Sequence, residues 1–202
     1  MNYGFLDFEM TCDGKQKDGK FIDDGRMRCS QREIISVGFV VCDDKYNIKN
    51  KYSSFVKPVH ITTITEYCKN LTGITQNNVD KGKKCNNAFR DVREMCNKYA
   101  VDYIFTFDSA DKAAIKVSAK WNRKAQEKVN NLYPILEKII DVRPEILKRI
   151  DCKNYRLSLL KIAEKLEIKI KGEHHNALND AVLLYMICKK LNIQLDYVLN
   201  NL

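Results

Sequence analysis

Residues 3–10 read YGFLDFEM and residues 33–42 read EIISVGFVVC, two apolar runs that are rich in aromatic and β-branched residues. Runs of this length and composition predict neighbouring strands. A third strand is predicted at 51–57, KYSSFVK, which ends before Pro58, and CDDKYN at 42–47 predicts the turn between the second and third strands. Because helical and strand-like segments alternate further along the chain, the sequence predicts an α/β fold with one mixed β-sheet flanked by helices.

The later segments carry this alternation. Apolar residues recur at helical spacing in the segments 86–100, 157–166 and 177–191. Short buried strands are predicted at 102–107 and 138–142. A helix should begin near Lys112, Pro144 should open a short one, and Asn176 should cap the last one. The polar stretch 11–32 predicts a long loop, a feature that often has a functional role.

Length and composition favour a single globular domain over residues 1–202. Hydrophobic residues make up 45% of the chain, which excludes a disordered or low-complexity protein. The 8 cysteines form no CxxC pair, so we expect reduced thiols and no structural zinc site. The first residues lack a basic segment, and no window of about 18 uncharged apolar residues occurs. We therefore expect no signal peptide, no membrane span and a cytoplasmic location.

Two carboxylates on the first strand are the first chemical signal. Asp7 and Glu9 are two residues apart, so they point to the same face of the strand, about 7 Å from each other. Acids this close repel unless one is protonated or a cation lies between them, and oxygen ligands suit Mg²⁺ or Mn²⁺. The alternative is a strand that exposes two acids to solvent, and the pair alone does not exclude it.

A second acidic signal is TFDSAD at 106–111. It places Asp108 and Asp111 where an apolar strand ends and a helix begins, which is where α/β sheets bind ligands. The alternative is that Asp108 or Ser109 caps the helix. Taken alone, this motif is compatible with either role.

The third signal is HHNALNDA at 174–181. Asp180 lies one turn into the last predicted helix, and His175 precedes that helix. Five residues on a helix would separate the two side chains by about 140°. They can converge only if His175 belongs to the preceding loop, and the alternative is an ordinary helix start at the surface.

The charge pattern is the fourth signal. The formal net charge is +9, and lysines recur every four residues along one predicted helix: Lys112, Lys116, Lys120, Lys124 and Lys128. Like charges at this spacing destabilise a helix slightly, and a phosphate backbone would offset that repulsion. The alternative is a solvated helix face. Acids at strand ends combined with a basic surface are what metal-assisted cleavage of nucleic acid requires.

Three motifs together resemble those of the DEDDh 3′–5′ exonucleases, the DnaQ-like group with a ribonuclease H-like fold. In chain order they are FLDFE at 5–9, TFDSAD at 106–111 and HHNALND at 174–180. LTGIT at 71–75 and IIDV at 139–142 bring the sequence closest to the KapD-like and histone-mRNA 3′-exonuclease branch. The resemblance runs from about residue 3 to 190, and it implies a ribonuclease H-like mixed sheet.

The resemblance also implies roles for individual residues. Asp7, Glu9, Asp111 and Asp180 correspond to the carboxylates that hold two Mg²⁺ or Mn²⁺ ions, and His175 corresponds to the general base. In the implied mechanism Asp7 bridges both ions, Glu9 and Asp180 complete the first site, and Asp111 supports the second. An attacking water would lose its proton to His175.

The pocket for the 3′-terminal nucleotides is implied by the same resemblance. Its expected members are Met10, Thr11, Leu71, Thr72, Gly73, Ile74 and Phe107. The branch commonly has Trp-Gly-Asn before the aspartate of the second motif, whereas this chain has Phe107, Asp108 and Ser109. An aromatic face is therefore kept, while Asp108 adds an acid, so the choice between Asp108 and Asp111 stays open.

The leading hypothesis is a 3′–5′ exonuclease that acts on the 3′ ends of single-stranded RNA or DNA, with RNA favoured, and releases 5′-mononucleotides. One alternative is a hydrolase restricted to short oligoribonucleotides. Another is a non-catalytic nucleic-acid-binding module on the same fold. A decayed site should have lost an acid or the histidine, and all five expected residues are present, which favours an enzyme.

Overall fold

The computed structural model describes residues 1–17, 20–22, 27–169 and 175–193. Its strands are β1 (Asn2–Met10), β2 (Lys15–Lys17), β3 (Lys20–Ile22), β4 (Ile34–Asp43), β5 (Ile48–Lys57), β6 (Lys83–Lys84), β7 (Val101–Thr106) and β8 (Ile139–Asp141). Its helices are α1 (Glu66–Thr72), α2 (Gln76–Asp80), α3 (Cys85–Lys98), α4 (Ala110–Lys124), α5 (Leu132–Leu136), α6 (Arg143–Arg149), α7 (Leu159–Lys165) and α8 (Ala177–Lys190). Every strand and helix predicted from the sequence is confirmed to within a few residues.

A mixed six-stranded sheet in the order β6–β5–β4–β1–β7–β8 forms the centre of the fold. β4 pairs antiparallel with both β1 and β5, whereas β7 runs parallel to β1 and to β8. The carboxyl ends of β1, β7 and β8 therefore meet at one edge of the sheet. The predicted mixed sheet flanked by helices is confirmed.

The two faces of the sheet bury different sets of side chains. Phe5 and Val40 point to the face that is covered by α8, together with α6 and α7. Leu6 and Phe39 point to the opposite face, against α3, α4 and α5. Burying an apolar side chain of this size contributes roughly 1.5–3 kcal/mol. Since successive residues of a strand alternate between faces, the odd-numbered residues of β1 lie under α8.

Several short elements were not predicted. α1 depends on its caps, since the Thr65 hydroxyl accepts from the Cys68 N–H and Gly73, at φ 70°, ends the helix in the left-handed conformation. α2 begins with a reciprocal capping box between Thr75 and Asn78. These helices are too short for apolar periodicity to indicate them.

The prediction of an unbroken loop over 11–32 is wrong for the residues described there. The β2–β3 hairpin and a single 3₁₀ turn, Cys29–Gln31, lie in this stretch. Alternation over three residues is too short a signal to distinguish a strand from a loop. Within the described ranges, no helix is both long enough and apolar enough to cross a lipid bilayer.

Candidate active site

Asp7 and Glu9 lie on the face of β1 that α8 covers, as the alternation of the strand predicted. In the sheet register Asp7 pairs with Gly38 and Glu9 pairs with Ser36 on β4. α8 crosses this part of the sheet and brings Asp180 to the same place. One carboxylate oxygen from each of Asp7, Glu9 and Asp180 lies within 4.8 Å of the others, so the three acids can hold a metal ion.

Burial and mutual repulsion shift the titration of these acids. The pKa of Asp7 lies well above its usual range, chiefly because of burial and then because of the charges of Asp111 and Asp180. Burial, assisted by the charge of Asp180, raises the pKa of Glu9 to about 8. Glu9 is only 8% exposed. In the protein without a metal these acids therefore hold protons more tightly than free carboxyl groups, and a divalent cation would favour their charged forms.

The TFDSAD segment separates its two aspartates into different environments. Asp111 is buried in the first turn of α4, and its pKa is raised well above the usual range by burial and then by the charge of Asp108. Asp108 is half-buried, and its carboxylate accepts from the Ala110 N–H at 2.7 Å and lies 3.6 Å from the Arg143 guanidinium. Asp111 is outside the group of three acids that come within 4.8 Å, but its charge acts on Asp7.

His175 belongs to the loop before α8. From the sequence, the side chains of His175 and Asp180 could converge only if His175 had this position. Its backbone is in the left-handed region, at φ 57°, and its side chain is exposed. Asn176 caps α8, because its side chain accepts from the Asn179 N–H at 3.2 Å, so this predicted cap is confirmed. The turn between His175 and α8 directs the imidazole and Asp180 into one cavity.

That cavity has a volume of about 360 Å³. Its lining includes Asp7, Asp180 and His175 together with Phe107 and Arg143. The Arg143 guanidinium lies 4.9 Å from the centre of the Phe107 ring. An adjoining cavity of about 320 Å³, which shares Asp108 and Arg143 with the first, is lined also by Met10, Arg32 and the start of α4. The site thus combines a cluster of acids with a cationic and aromatic wall.

The remaining expected substrate residues are less directly placed. Thr11 is buried, and its hydroxyl accepts from the Glu33 N–H at 2.9 Å, so it holds the end of β1 in position. Leu71 is exposed, whereas Ile74 packs among buried residues that include Cys68 and Val79. Thr72 and Gly73 form the end of α1. The described walls of the two cavities include Met10 and Phe107 but none of residues 71–74.

Arg143, which lines both cavities, and the buried Glu33 were not singled out from the sequence. Arg143 opens α6, two residues after β8 ends, so a cation immediately after the segment IIDV was the signal available. Glu33 is 1% exposed, and its carboxylate accepts from the backbone N–H groups of Val59, His60 and Ile61 at 2.7–3.0 Å. The sequence signal for Glu33 was an acid at the start of an otherwise apolar strand. The backbone groups that Glu33 binds are distant from it in the sequence.

Comparison with known proteins agrees with this arrangement. The RNase_T family, described as an exonuclease, matches residues 5–188. The probable 3′–5′ exonuclease KapD of Bacillus subtilis (strain 168) is 27% identical over 194 residues, which cover 96% of this chain and 85% of that protein.

Two solved structures share the fold. The nuclease domain of 3′hExo, a DEDDh family member bound to rAMP, has a TM-score of 0.77 at 21% identity, over 94% of this chain and 90% of that one. A 3′-exonuclease whose structure concerns 3′-end-specific recognition of a histone mRNA stem-loop has a TM-score of 0.77 at 20% identity, over 95% of this chain. This chain spans 63% of the length of that protein.

The family match extends over most of the chain, from β1 to α8, and therefore includes all three acidic motifs. The fold neighbours confirm the ribonuclease H-like architecture. The chain belongs to the RNase_T exonuclease family, whose members are hydrolytic nucleases.

Proposed function

We propose that this chain hydrolyses the 3′-terminal phosphodiester of single-stranded nucleic acid, RNA in preference to DNA, with two divalent ions, Mg²⁺ or Mn²⁺, and releases 5′-mononucleotides. One observation carries the proposal: Asp7, Glu9 and Asp180 present oxygens within 4.8 Å of one another, and Asp7 and Asp180 line a cavity that His175 also lines. Several carboxylates and an imidazole at one opening are the groups needed for metal-assisted hydrolysis of a phosphodiester.

The donor set fits hard divalent cations. All of its members are carboxylates, which suit Mg²⁺ and Mn²⁺ better than softer metals. Burial, and after it the neighbouring acids, raise the pKa values of Asp7, Glu9 and Asp111, so their charged forms are disfavoured until a cation binds. Asp7, Glu9 and Asp180 would hold one ion, and Asp7 and Asp111 would hold the other.

The bound ions supply charge neutralisation at the phosphate and make the attacking water more acidic. His175 lines the same cavity and would accept the proton of that water. Phe107 offers a ring face for a base. Arg143 adds positive charge beside it, while its guanidinium donates to the Tyr155 and Leu157 carbonyls and faces Asp108.

The size of the cavity and the relatives support action at a strand end. A volume of about 360 Å³ lies at the lower end of the range for small-molecule pockets, roughly 300–1,000 Å³, and so suits a terminal nucleotide better than a duplex. We propose that Met10, Thr11, residues 71–74 and Phe107 contact that nucleotide. RNA is favoured because one relative was solved with rAMP and another concerns an mRNA 3′ end.

The decisive experiment uses 5′-labelled and 3′-labelled strands of RNA and DNA, single- and double-stranded, with Mg²⁺, Mn²⁺ or EDTA. Single-stranded RNA should be shortened from its 3′ end to 5′-mononucleotides, and EDTA should abolish the reaction. The Asp7→Asn variant should be inactive under every condition, because Asp7 would serve both ions.

A length series gives each alternative its own outcome. Hydrolysis of only the shortest strands would replace the proposal with an oligoribonucleotide hydrolase. Binding of RNA without release of nucleotides would replace it with a non-catalytic module. Full activity in EDTA, or equal activity in Asp7→Asn, would refute the role of the ions.

A further inference from the structure

A stacked pair of aromatic rings lies on the surface at the far end of α4. The rings of His60 and Trp121 are 3.4 Å apart at their centroids and only 10° from parallel. The ammonium groups of Lys120 and Lys124 lie 4.7 and 4.5 Å from the centre of the Trp121 ring. In the described part of the chain, neither lysine is engaged in an ion pair. We call these four residues the His60–Trp121 platform.

The His60 half of the platform is held by a buried acid. The Glu33 carboxylate accepts from the backbone N–H of His60 at 2.7 Å and from those of Val59 and Ile61, so it fixes three successive peptide groups. Hydrogen bonds to an ionised acceptor are roughly twice as strong as neutral ones. The His60 backbone is thus anchored to the core, while its imidazole is exposed.

The Trp121 half is tied to the same part of the chain. The Trp121 indole N–H donates to the Ser30 carbonyl at 3.3 Å. One turn earlier on α4, the Ser118 hydroxyl accepts from the Ile34 N–H at 3.0 Å. Glu33 therefore anchors the segment that carries His60, and Ile34 anchors the helix that carries Trp121. The platform is a preorganised surface rather than a chance meeting of two side chains.

The platform lies in line with the candidate active site. Asp111 is in the first turn of α4, and Trp121 is ten residues later, about 15 Å along the helix axis. Ala110 and Ala114 line the second cavity, and their spacing from Trp121 puts all three on one stripe of the helix. At a rise of roughly 3.4 Å per stacked nucleotide, 15 Å corresponds to about four nucleotides.

We propose that the His60–Trp121 platform binds single-stranded nucleic acid on the 5′ side of the nucleotide being removed. A base would stack on the exposed face of His60, and Lys120 and Lys124 would pair with phosphates. Aromatic stacking with adjacent cations is how proteins hold single strands without reading their sequence. The inference rests on the proposed function and extends it. It predicts that the preferred substrates are strands long enough to reach the platform.

Trp121 is the only tryptophan of the chain, so its fluorescence reports on this position alone. In EDTA, where a metal-dependent nuclease does not turn over, a strand of roughly ten nucleotides should quench Trp121 and a dinucleotide should not. His60→Ala should weaken binding of the longer strand by roughly 5- to 150-fold, the usual effect of losing one stacking partner. Circular dichroism and the melting temperature would show that this variant is folded.

Charge variants give an independent measurement. The double variant Lys120→Gln, Lys124→Gln should flatten the slope of log Kd against log salt concentration by about 1.4, as expected for two lost phosphate contacts on a single strand. The matched control is Lys45→Gln, Lys98→Gln, because Lys45 and Lys98 are exposed near the opposite end of β1. It should keep the slope of the unaltered protein.

Kinetics separate the platform from the catalytic proposal. The ratio of kcat/KM for the longer strand to that for a trinucleotide should fall in His60→Ala. One outcome is that the protein degrades the longer strand while Trp121 is not quenched and the kcat/KM ratio is unaltered in His60→Ala. That result would overturn the proposed platform and leave the proposed function standing. Quenching without hydrolysis of any strand would leave the platform and remove the nuclease. Equal quenching by poly-glutamate would overturn the assignment to nucleic acid.

Discussion

Gly38 on β4 lies against Ala177, the first residue of α8. A Cβ on Gly38 would be 2.1 Å from both the carbonyl carbon and the carbonyl oxygen of Ala177, a distance that no side chain can occupy. Gly38 is also the register partner of Asp7. The absence of a side chain at Gly38 therefore lets α8 approach the sheet closely enough to bring Asp180 to Asp7.

Gly38→Ala should consequently damage stability and metal binding together. The added methyl group overlaps backbone atoms, so the start of α8 must move, and overpacking of this kind costs about 1–3 kcal/mol, or roughly 2–12 °C in melting temperature. Displacement of Asp180 should also reduce the rise in melting temperature that Mg²⁺ or Mn²⁺ produces. Thermal unfolding with and without the ion measures both effects.

Val41→Ala is the matched control for Gly38→Ala. Val41 is on the same strand but packs on the opposite face of the sheet. The variant should destabilise the protein by an amount on the order of 1–3 kcal/mol through the cavity it leaves. Its metal-induced stabilisation should persist. Equal loss of that stabilisation in both variants would mean that the contact with Ala177 does not position Asp180.

The metal-free protein should lose stability as the pH rises from about 5 to 8. The pKa of Glu9 is about 8 in the folded protein against 4.5 for a free side chain, and burial raises the pKa values of Asp7 and Asp111 in the same direction. A raised pKa means that the folded state binds protons more tightly. The stability gained from this is complete below about 4.5 and is lost as the pH passes through about 8.

Melting temperatures in EDTA across this pH range test the expectation, with Glu9→Gln as the control. The substitution should flatten the decline, since it removes one titrating group. Because protons and cations compete for the same oxygens, Mg²⁺ or Mn²⁺ should raise the melting temperature more at pH 8 than at pH 6. A metal effect that is larger at pH 6 would contradict the proposed ligands.

Asp111→Asn and Asp108→Asn should differ strongly in turnover. Asp111 is buried and acts electrostatically on Asp7, whereas the Asp108 carboxylate is engaged by the Ala110 N–H and by Arg143. Asp111→Asn should lower kcat at least roughly 100-fold, a loss typical of a damaged metal site. Asp108→Asn should retain much of the activity. The reverse order in a steady-state assay would assign the metal to Asp108.

His175→Ala should slow turnover without weakening metal binding. Loss of a positioned general base typically costs 10²–10⁴-fold in rate. The carboxylates of Asp7, Glu9 and Asp180 remain, so the melting temperature should still rise with Mg²⁺ or Mn²⁺. In Asp180→Ala, by contrast, Mg²⁺ or Mn²⁺ should no longer raise the melting temperature.

His174→Ala is the neighbouring control for the base, although His174 lies outside the described residues. Its effect on turnover should be small. If His174→Ala proved as harmful as His175→Ala, or if His175→Ala kept near-normal turnover at neutral pH, another group would have to be the base.

The sequence predicted the local parts of the site well. The two-residue spacing of Asp7 and Glu9 was enough to place them on one face of β1, and Asn176 was recognised as a helix cap. The short helices α1 and α2 were missed, because caps rather than periodicity define them. Glu33 and Arg143 were missed for a different reason, since the groups they contact come from other segments of the chain.

What the sequence determined by itself was the order of the longer strands and helices and the placement of Asp7 and Glu9 on one face of β1. Those features follow from the steric and hydrogen-bonding rules of a few consecutive residues. What only the tertiary structure decided was which distant residues meet: Asp180 with Asp7 across the bare backbone of Gly38, and His60 with Trp121 beside the buried carboxylate of Glu33. Such contacts depend on how whole helices pack on the sheet, and no short stretch of sequence encodes that packing.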